Sequence, residues 1–353
     1  MFTTDPEVLC TMTTAHRLWQ GIPSIEITKN GRVFVCFYSG GTNEQIGNYA
    51  VLLMSDDGVH FSEPIAAAVE PEHRCFDPCL WIDPAGRLWF TWARFPDAGL
   101  YAVICDEPDA ETPMFGAEFR VGSNVMMNKP TVLADGTWAF PLAVWADDVF
   151  VVRREASPTP TGALLYATTD GADFTLRGGA AVPERAFDEH IFLEHPDHSL
   201  SVFVRTEYGI GAAESVDGGR TWSEGHPTGI NGPSTRFHIR RLPSDRLLMI
   251  YHDSPDRSRL TAFLSEDEGR TWPYRLLLDP RSSVSYPDAA LASDGGIHIV
   301  YDRERGSGQK SPEEARRFAR EILTARITEE EILAGALTDE KSYVQRVINR
   351  LGQ

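Results

Sequence analysis

Short apolar runs divided by Gly, Asp and Pro set the rhythm of the chain. RVFVCFY, GRLWFTWA, TWAFPLAVW, LSVFVRT, DRLLMIYHD and GIHIVYD are each about one strand long, and turn residues fill the breaks between them. The pattern predicts an all-β protein of many short strands. Helical periodicity is confined to the C-terminal end. There SPEEARRFAREI is amphipathic, TEEEILAG offers Thr328 as an N-cap with Glu331 three residues on and Gly335 as terminator, and DEKSYVQRVINRLGQ reads as a last helix. The expected organisation is one β domain over residues 1–327 and a helical tail over 328–353 packed on it.

A hairpin motif recurs among these strands. SVDGGRTW from Ser215 and SEDEGRTW from Ser265 share the form S-x-D-x-G-x-T-W. SDDGVHF from Ser55 and TTDGADF from Thr168 are one residue shorter and keep the hydroxyl, the Asp, the Gly and the closing aromatic. The last three begin 47 and 50 residues apart, and the gap of 113 before them leaves room for one degenerate copy. A period near fifty is that of a propeller blade. In such a turn the Asp side chain accepts N–H groups of its own loop, Gly takes the left-handed position and the aromatic packs between neighbouring sheets. A motif repeated around a ring cannot converge on one site, so these residues are read as determinants of the fold.

Composition adds boundaries. A chain of 353 residues with 42% hydrophobic and 24% charged residues belongs to the soluble globular class. No apolar run approaches a membrane span, and MFTTDPEVLCTMTTAHRLW lacks the basic and apolar regions of a signal peptide, so the expectation is a cytoplasmic protein without a membrane partner. With 33 basic against 51 acidic residues the net charge of -18 argues against a nucleic-acid partner, and an anionic substrate requires a locally basic pocket. The five cysteines offer no paired CxxC units. Cys75 and Cys79 lack a second half for a zinc site and read as buried thiols, so no metal or cofactor is expected. The oligomeric state is left open.

The repeated boxes resemble those of the sialidase superfamily, whose catalytic domain is a six-bladed β-propeller. Three further segments carry the resemblance. FDEHIFLEHPDHSLSVFVRT resembles the family segment in which a Glu opens one strand and an Arg closes the next, here Glu189 and Arg205. DRSRLTAFLSEDEGRTWP resembles the segment with an Arg ahead of the last box, here Arg257, and SYPDAALASDGGIHIVYD the segment of the tyrosine nucleophile, here Tyr286. The resemblance implies that Tyr286 attacks the anomeric carbon, Glu189 takes its proton, and Arg205 and Arg257 hold the sugar carboxylate. The residue types suit the chemistry. A neutral phenol avoids the repulsion a carboxylate nucleophile would meet beside a 2-keto acid, and guanidinium pairs with carboxylate in a fork.

The N-terminal half departs from the family. WQGIPSIEITKNGRVFVCFYSGG resembles the opening strand in which an Arg precedes Ile-Pro, but that position is Gly21. Arg17, Arg74, Lys129 or Arg236 are the candidate replacements. For the family's acid/base Asp the loop before the first box offers Glu44, and Asp77 in RCFDPCLW is the alternative. Lys129, His190, His238 and His252, placed near strand ends by pattern, complete the expected lining of an anionic-sugar pocket together with Arg74, Arg236 and Asp288.

The function implied is an exo-glycosidase hydrolysing a small acidic carbohydrate: a terminal sialic acid or a related 2-keto acid or uronic acid glycoside. One alternative is a uronate-directed lyase on the same fold, using His190, His238, Tyr208 and Tyr286. Another is a glycan-binding propeller without catalysis.

Overall fold

The computed structural model describes residues 1–97, 99–123, 125–145, 162–306 and 308–351. The run VFVCFYSG is buried along its whole length in the strand Val33–Gly40, which is how a strand lies when sheets cover both its faces. Among the described residues there are six antiparallel sheets, each wound up and down from one stretch of chain. Blade one comprises Trp19–Ile27, Val33–Gly40, Tyr49–Ser55 and Ala66–Ala68, with Phe2–Thr3 added at its outer edge. The inner strands of blades two to six are Arg74–Ile82, Thr131–Val132, Arg185–Glu194, His238–Arg241 and Val284–Leu291. This is the expected six-bladed β-propeller. Apolar clusters fill the six gaps between neighbouring blades, such as Leu248, Ile250 and Leu264 of blade five against Ile299, Tyr301 and Leu323 of blade six.

The boxes turn between the third and fourth strands of blades one, three, four and five. Asp217 Oδ1 accepts the N–H groups of Arg220 and Thr221 at 3.0 and 2.9 Å, its Oδ2 accepts the Thr221 hydroxyl at 2.7 Å, and Ser215 Oγ accepts from Gly219 at 2.8 Å. Asp267 and Ser265 repeat most of these bonds. Gly219 and Gly269 hold φ of 85° and 81°. Residues 106–118 take the place of the box in blade two.

The C-terminal reading is corrected in one respect. Thr328 and Glu331 do form a capping box, and Gly335 ends the short helix Glu329–Ala334 with φ 68°. Beyond it, however, Tyr343–Arg350 is the fourth strand of blade six, paired with the third, Glu321–Ile327. The first helix of the reading shrinks to Pro312–Ala315. The open edge of Glu321–Ile327 offers a row of backbone partners, and the β-branched Val344, Val347 and Ile348 suit a half-exposed edge strand. A boundary at residue 328 therefore cuts through a blade. Because blade six is built wholly from the C-terminal chain, side chains rather than a shared strand join it to blade one. Arg320 donates to the carbonyls of Leu18 and Thr42, Gln20 donates to the Arg320 carbonyl at 2.7 Å, and Arg17 donates to Asn349 at 3.0 Å. Among the described residues no helix is long and apolar enough to cross a membrane.

One buried ionic network links all six inner strands. Lys129 Nζ lies 3.0 Å from both Glu26 and Asp288 and donates to the carbonyls of Ile25 and Leu80 at 2.6 and 2.8 Å. Arg236 donates to Pro23 and Asn128, both at 3.0 Å, and lies 3.4 Å from Asp288; Asn128 donates to the His190 carbonyl at 2.9 Å. His238 Nδ1 is 3.1 Å from Asp288, whose other oxygen accepts from Ser24 at 2.6 Å. Burial opposes every charge here. Even so, Lys129 and Arg236 hold the Asp288 carboxyl well below its usual range, and Asp288 with Glu26 holds Lys129 above its own. Two cations thus face two carboxylates. Asp288→Ala strands Lys129 and Arg236 in the interior, and a loss of about 3–5 kcal/mol in denaturant unfolding is expected.

Candidate active site

At one mouth of the ring four inner strands break register. The shifts fall between Gly21 and Ser24, Phe76 and Cys79, Arg185 and His190, and Ser285 and Asp288. Within them Ile22, Asp77, Phe187, Asp188 and Tyr286 take φ between 45° and 60°. Left-handed backbone at bulky residues costs roughly 1–3 kcal/mol each, and bulges of this kind re-aim side chains. Three of the bulges are X-Pro pairs: Ile22-Pro23, Asp77-Pro78 and Tyr286-Pro287. Proline at the second position gives up a ladder hydrogen bond that the bulge has already broken. Asp302, buried at the end of blade six's second strand, ties two of these bends together. It accepts the Ile22 N–H at 2.8 Å and the Ser285 hydroxyl at 2.6 Å.

The bulges bring Tyr286 and Glu189 together although 97 residues separate them. The Tyr286 hydroxyl donates to Glu189 Oε1 at 3.3 Å, and Arg205 Nη1 donates to the same carboxylate oxygen at 2.8 Å and to the phenol at 3.2 Å. Ser234 braces the arginines, accepting Arg205 Nε on its hydroxyl at 3.1 Å and Arg257 Nη2 on its carbonyl at 3.0 Å. Arg257 Cζ stands 5.5 Å from the Tyr286 ring centre. Burial pushes the phenol's pKa up and Glu189 adds to this, against the pull of Arg205, Arg305 and Arg257.

Arg305 is the residue the sequence reading missed. Its Cζ lies 4.5 Å over the Tyr286 ring, and its Nη1 pairs with Glu44 at 3.3 Å. The side chain runs directly across Gly21: a Cβ at Gly21 would meet Arg305 Cδ at 2.2 Å and Cγ at 2.7 Å. The position without a side chain in blade one is therefore filled by an arginine from blade six. None of Arg17, Arg74, Lys129 and Arg236 fills it. The available signal was RERGSG, which follows the quoted GIHIVYD and puts Arg305 three residues beyond Asp302.

Asp77, Arg74 and Glu44 share the mouth. Burial pushes the Asp77 carboxyl up to about 7, with Glu44 and Glu189 adding to the rise against Arg74 and Arg305. Arg74 stacks on Phe76 with Cζ 4.0 Å from the ring centre. Glu44 is about one-third exposed and is held by Arg305. A cleft of about 310 Å³ is lined by Asp256, Arg257, Ser283, Ser285 and Arg305.

The other expected lining residues lie deeper. Lys129, Arg236, His238 and Asp288 belong to the axial network. His190 is buried with its ring nitrogens 2.7 Å from the Asp188 carbonyl and 3.1 Å from that of Leu164, and burial pushes its pKa down to about 4. His252, also pushed down to about 4 by burial, directs Nδ1 to the Ser258 carbonyl. The Tyr208 hydroxyl packs over Gly211 in blade four. The structure thus gathers Tyr286, Glu189, Arg205, Arg257, Asp77, Arg74 and Glu44 at the mouth, and places the histidines in the packing. Among the described residues no cluster of His, Cys, Asp and Glu is arranged to hold a metal.

A six-bladed ring with box turns and a buried Tyr–Glu–Arg cluster defines the class. Residues 111–299, more than half of the chain, match the BNR repeat-like domain family, and the protein belongs to that family within the sialidase superfamily. An anhydrosialidase from Macrobdella decora is 27% identical over 162 residues, covering 39% of this chain. The match spans 21% of that curated relative's length. Among solved structures, a protein of unknown function from Dyadobacter fermentans superposes with a TM-score of 0.65 at 20% identity, over 87% of this chain and 94% of that one. A Hadza microbial sialidase gives 0.64 at 17% identity, over 82% of this chain and 64% of its own. A leech intramolecular trans-sialidase complexed with 2,7-anhydro-Neu5Ac gives 0.66 at 13%, over 92% and 70%. At these identities the structural likenesses establish the fold alone.

Gly21→Ala is expected to drive the Arg305 side chain off Tyr286. A crystal structure of the variant with Arg305 still seated on the phenol would refute the steric exchange.

Proposed function

We propose that this protein is an exo-glycosidase of the sialidase type that hydrolyses a terminal acidic sugar through a tyrosine nucleophile. The observation that carries the reading is a buried phenol hydrogen-bonded to Glu189 and surrounded by the guanidinium groups of Arg205, Arg257 and Arg305. Those arginines hold the sugar carboxylate, with Arg305 supplying the third cation in place of a side chain at residue 21. Substrate binding sets its carboxylate against Arg305 alongside Glu44, whose part is to brace that arginine.

In the first step the Tyr286 oxygen bonds to the anomeric carbon and its proton passes to Glu189. The bond to the leaving oxygen breaks as Asp77 protonates that oxygen. In the second step Asp77, now ionised, takes a proton from water, which attacks the anomeric carbon. The bond to Tyr286 breaks and Glu189 returns the proton to the phenol. Two inversions give net retention. A carboxyl with its pKa near neutrality suits both halves of this cycle.

Three measurements test the reading. Tyr286→Phe is expected to lower kcat on an aryl sialoside by several orders of magnitude with Tm unchanged, and wild-type turnover in that variant would sink the assignment. Arg305→Ala removes charge-assisted bonds to the carboxylate, and about 10- to 100-fold weaker binding of free sialic acid is expected in calorimetry. Asp77 must hold its proton to act as acid, so kcat/KM should fall as pH rises through about 7. Asp77→Asn should abolish that limb on a natural glycoside while largely sparing a substrate with a good leaving group.

A further inference from the structure

Phe187 stands out among the aromatic residues of the mouth. It is 44% exposed, while Trp19, Tyr38, Phe76 and Trp145 in the same region are buried. Its backbone is left-handed, φ 60°, and Asp188 follows at φ 45°. A phenylalanine held both in this backbone and in water gains nothing for the fold from either. The ring is nevertheless fixed in place. Trp145 meets it edge to face at 5.4 Å and donates its indole N–H to the Phe187 carbonyl at 2.5 Å, and Arg205 Cζ stands 4.8 Å from the ring centre. That same Arg205 donates to the Tyr286 phenol at 3.2 Å, so a single guanidinium separates the exposed ring from the nucleophile.

The aromatic residues form a row through successive blades. Trp19 meets Tyr38 at 4.7 Å, Tyr38 meets Phe76 at 6.3 Å, Phe76 meets Trp145 at 6.2 Å, and Trp145 meets Phe187. Arg205, Arg257 and Arg305 come from blades four to six. Apart from Arg74, which stacks on Phe76, the guanidinium groups and the aromatic row therefore take separate arcs of the mouth. Asp77 adjoins Phe76 within the aromatic arc, so a leaving oxygen protonated by Asp77 departs on that side. The row ends at the one ring among these five that is open to solvent.

We propose that Phe187 is the platform on which the sugar next to the buried terminal one stacks, presenting an aromatic face to the C–H face of the leaving-group ring. The proposal rests on the glycosidase reading above for the direction in which the leaving group lies. Arg205 lies over the ring and Trp145 stands nearly perpendicular to it. The ring is thus pre-set for its partner, and stacking orders little that is not already ordered. The left-handed backbone is what lifts the side chain out of the inter-blade packing to that height.

Calorimetric titration of sialyllactose and of free sialic acid into Tyr286→Phe, with and without Phe187→Gly, tests the platform without turnover. Glycine removes the ring and relieves the left-handed strain together, so Tm should hold or rise and misfolding is excluded as a cause. The ratio of trisaccharide to monosaccharide affinity is expected to fall about 3- to 10-fold on loss of the ring, the range of an aromatic stacking contact. Phe187→Tyr in the same background should keep the ratio. An unchanged ratio in Phe187→Gly overturns the platform, and so does a protein that binds neither sugar, which also removes the glycosidase reading. Wild-type protein that binds both sugars but cleaves neither rejects the glycosidase reading alone, and the platform then stands or falls on the ratio.

Discussion

The ring is organised around a buried charge cluster. Lys129, Asp288, Arg236 and Glu26 sit where six inner strands converge, and their contacts, extended by the bond from Asn128 to the His190 carbonyl, reach every blade. Ion pairs of this kind are poor sources of net stability because desolvation offsets most of the Coulomb gain. Their value here is directional. Apolar packing between blades tolerates small rotations, whereas Lys129 satisfies two carboxylates and two carbonyls from blades one, two and six in only one arrangement of those strands. A register shift in blade one, three, five or six would part a buried charge from its partner.

That fixed arrangement lets the mouth hold unfavourable backbone. Ile22, Asp77, Phe187, Asp188 and Tyr286 all sit in left-handed conformations within a few residues of the cluster, which Ile, Phe and Tyr do not favour on their own. Asp302 bonds two of the bends to each other. The strain turns Tyr286 and Asp77 away from the strand ladders and toward the opening. One chain segment can therefore serve the fold and the site at once: Asp288, two residues after Tyr286, lies in the axial cluster while the tyrosine faces the mouth.

The exchange between Gly21 and Arg305 shows how a ring distributes a site. A guanidinium beside the phenol can be delivered from any blade whose loop reaches it, because all inner strands end around the same opening. Blade six delivers it here, and glycine in blade one leaves the path clear. The pairing of Arg305 with Glu44 also ties together the blade-one and blade-six loops at the seam where the first and last blades meet without a shared strand.

Much of the fold was legible in the sequence because its determinants are local. Box turns bond to themselves, the apolar runs have strand length, and the period of about fifty counts blades. Tyr286, Glu189, Arg205 and Arg257 were legible through resemblance, in the half of the chain where order and spacing match the family. Three things were not. Tyr343–Arg350 looked helical in isolation and became a strand because an open sheet edge was waiting for it. Lys129, His190, Arg236, His238 and Asp288 were expected in the pocket lining, yet whether a polar residue of an inner strand faces the mouth or the axis depends on how that strand sits against the other five. Arg305 lies in a loop with no periodicity, and its role depends on an empty space 284 residues earlier in the chain. The sequence by itself determined the blades, since those are written in short-range turns and strand-length runs. Only the closed ring decided which charges meet, because the distances that matter run across its axis and not along its chain.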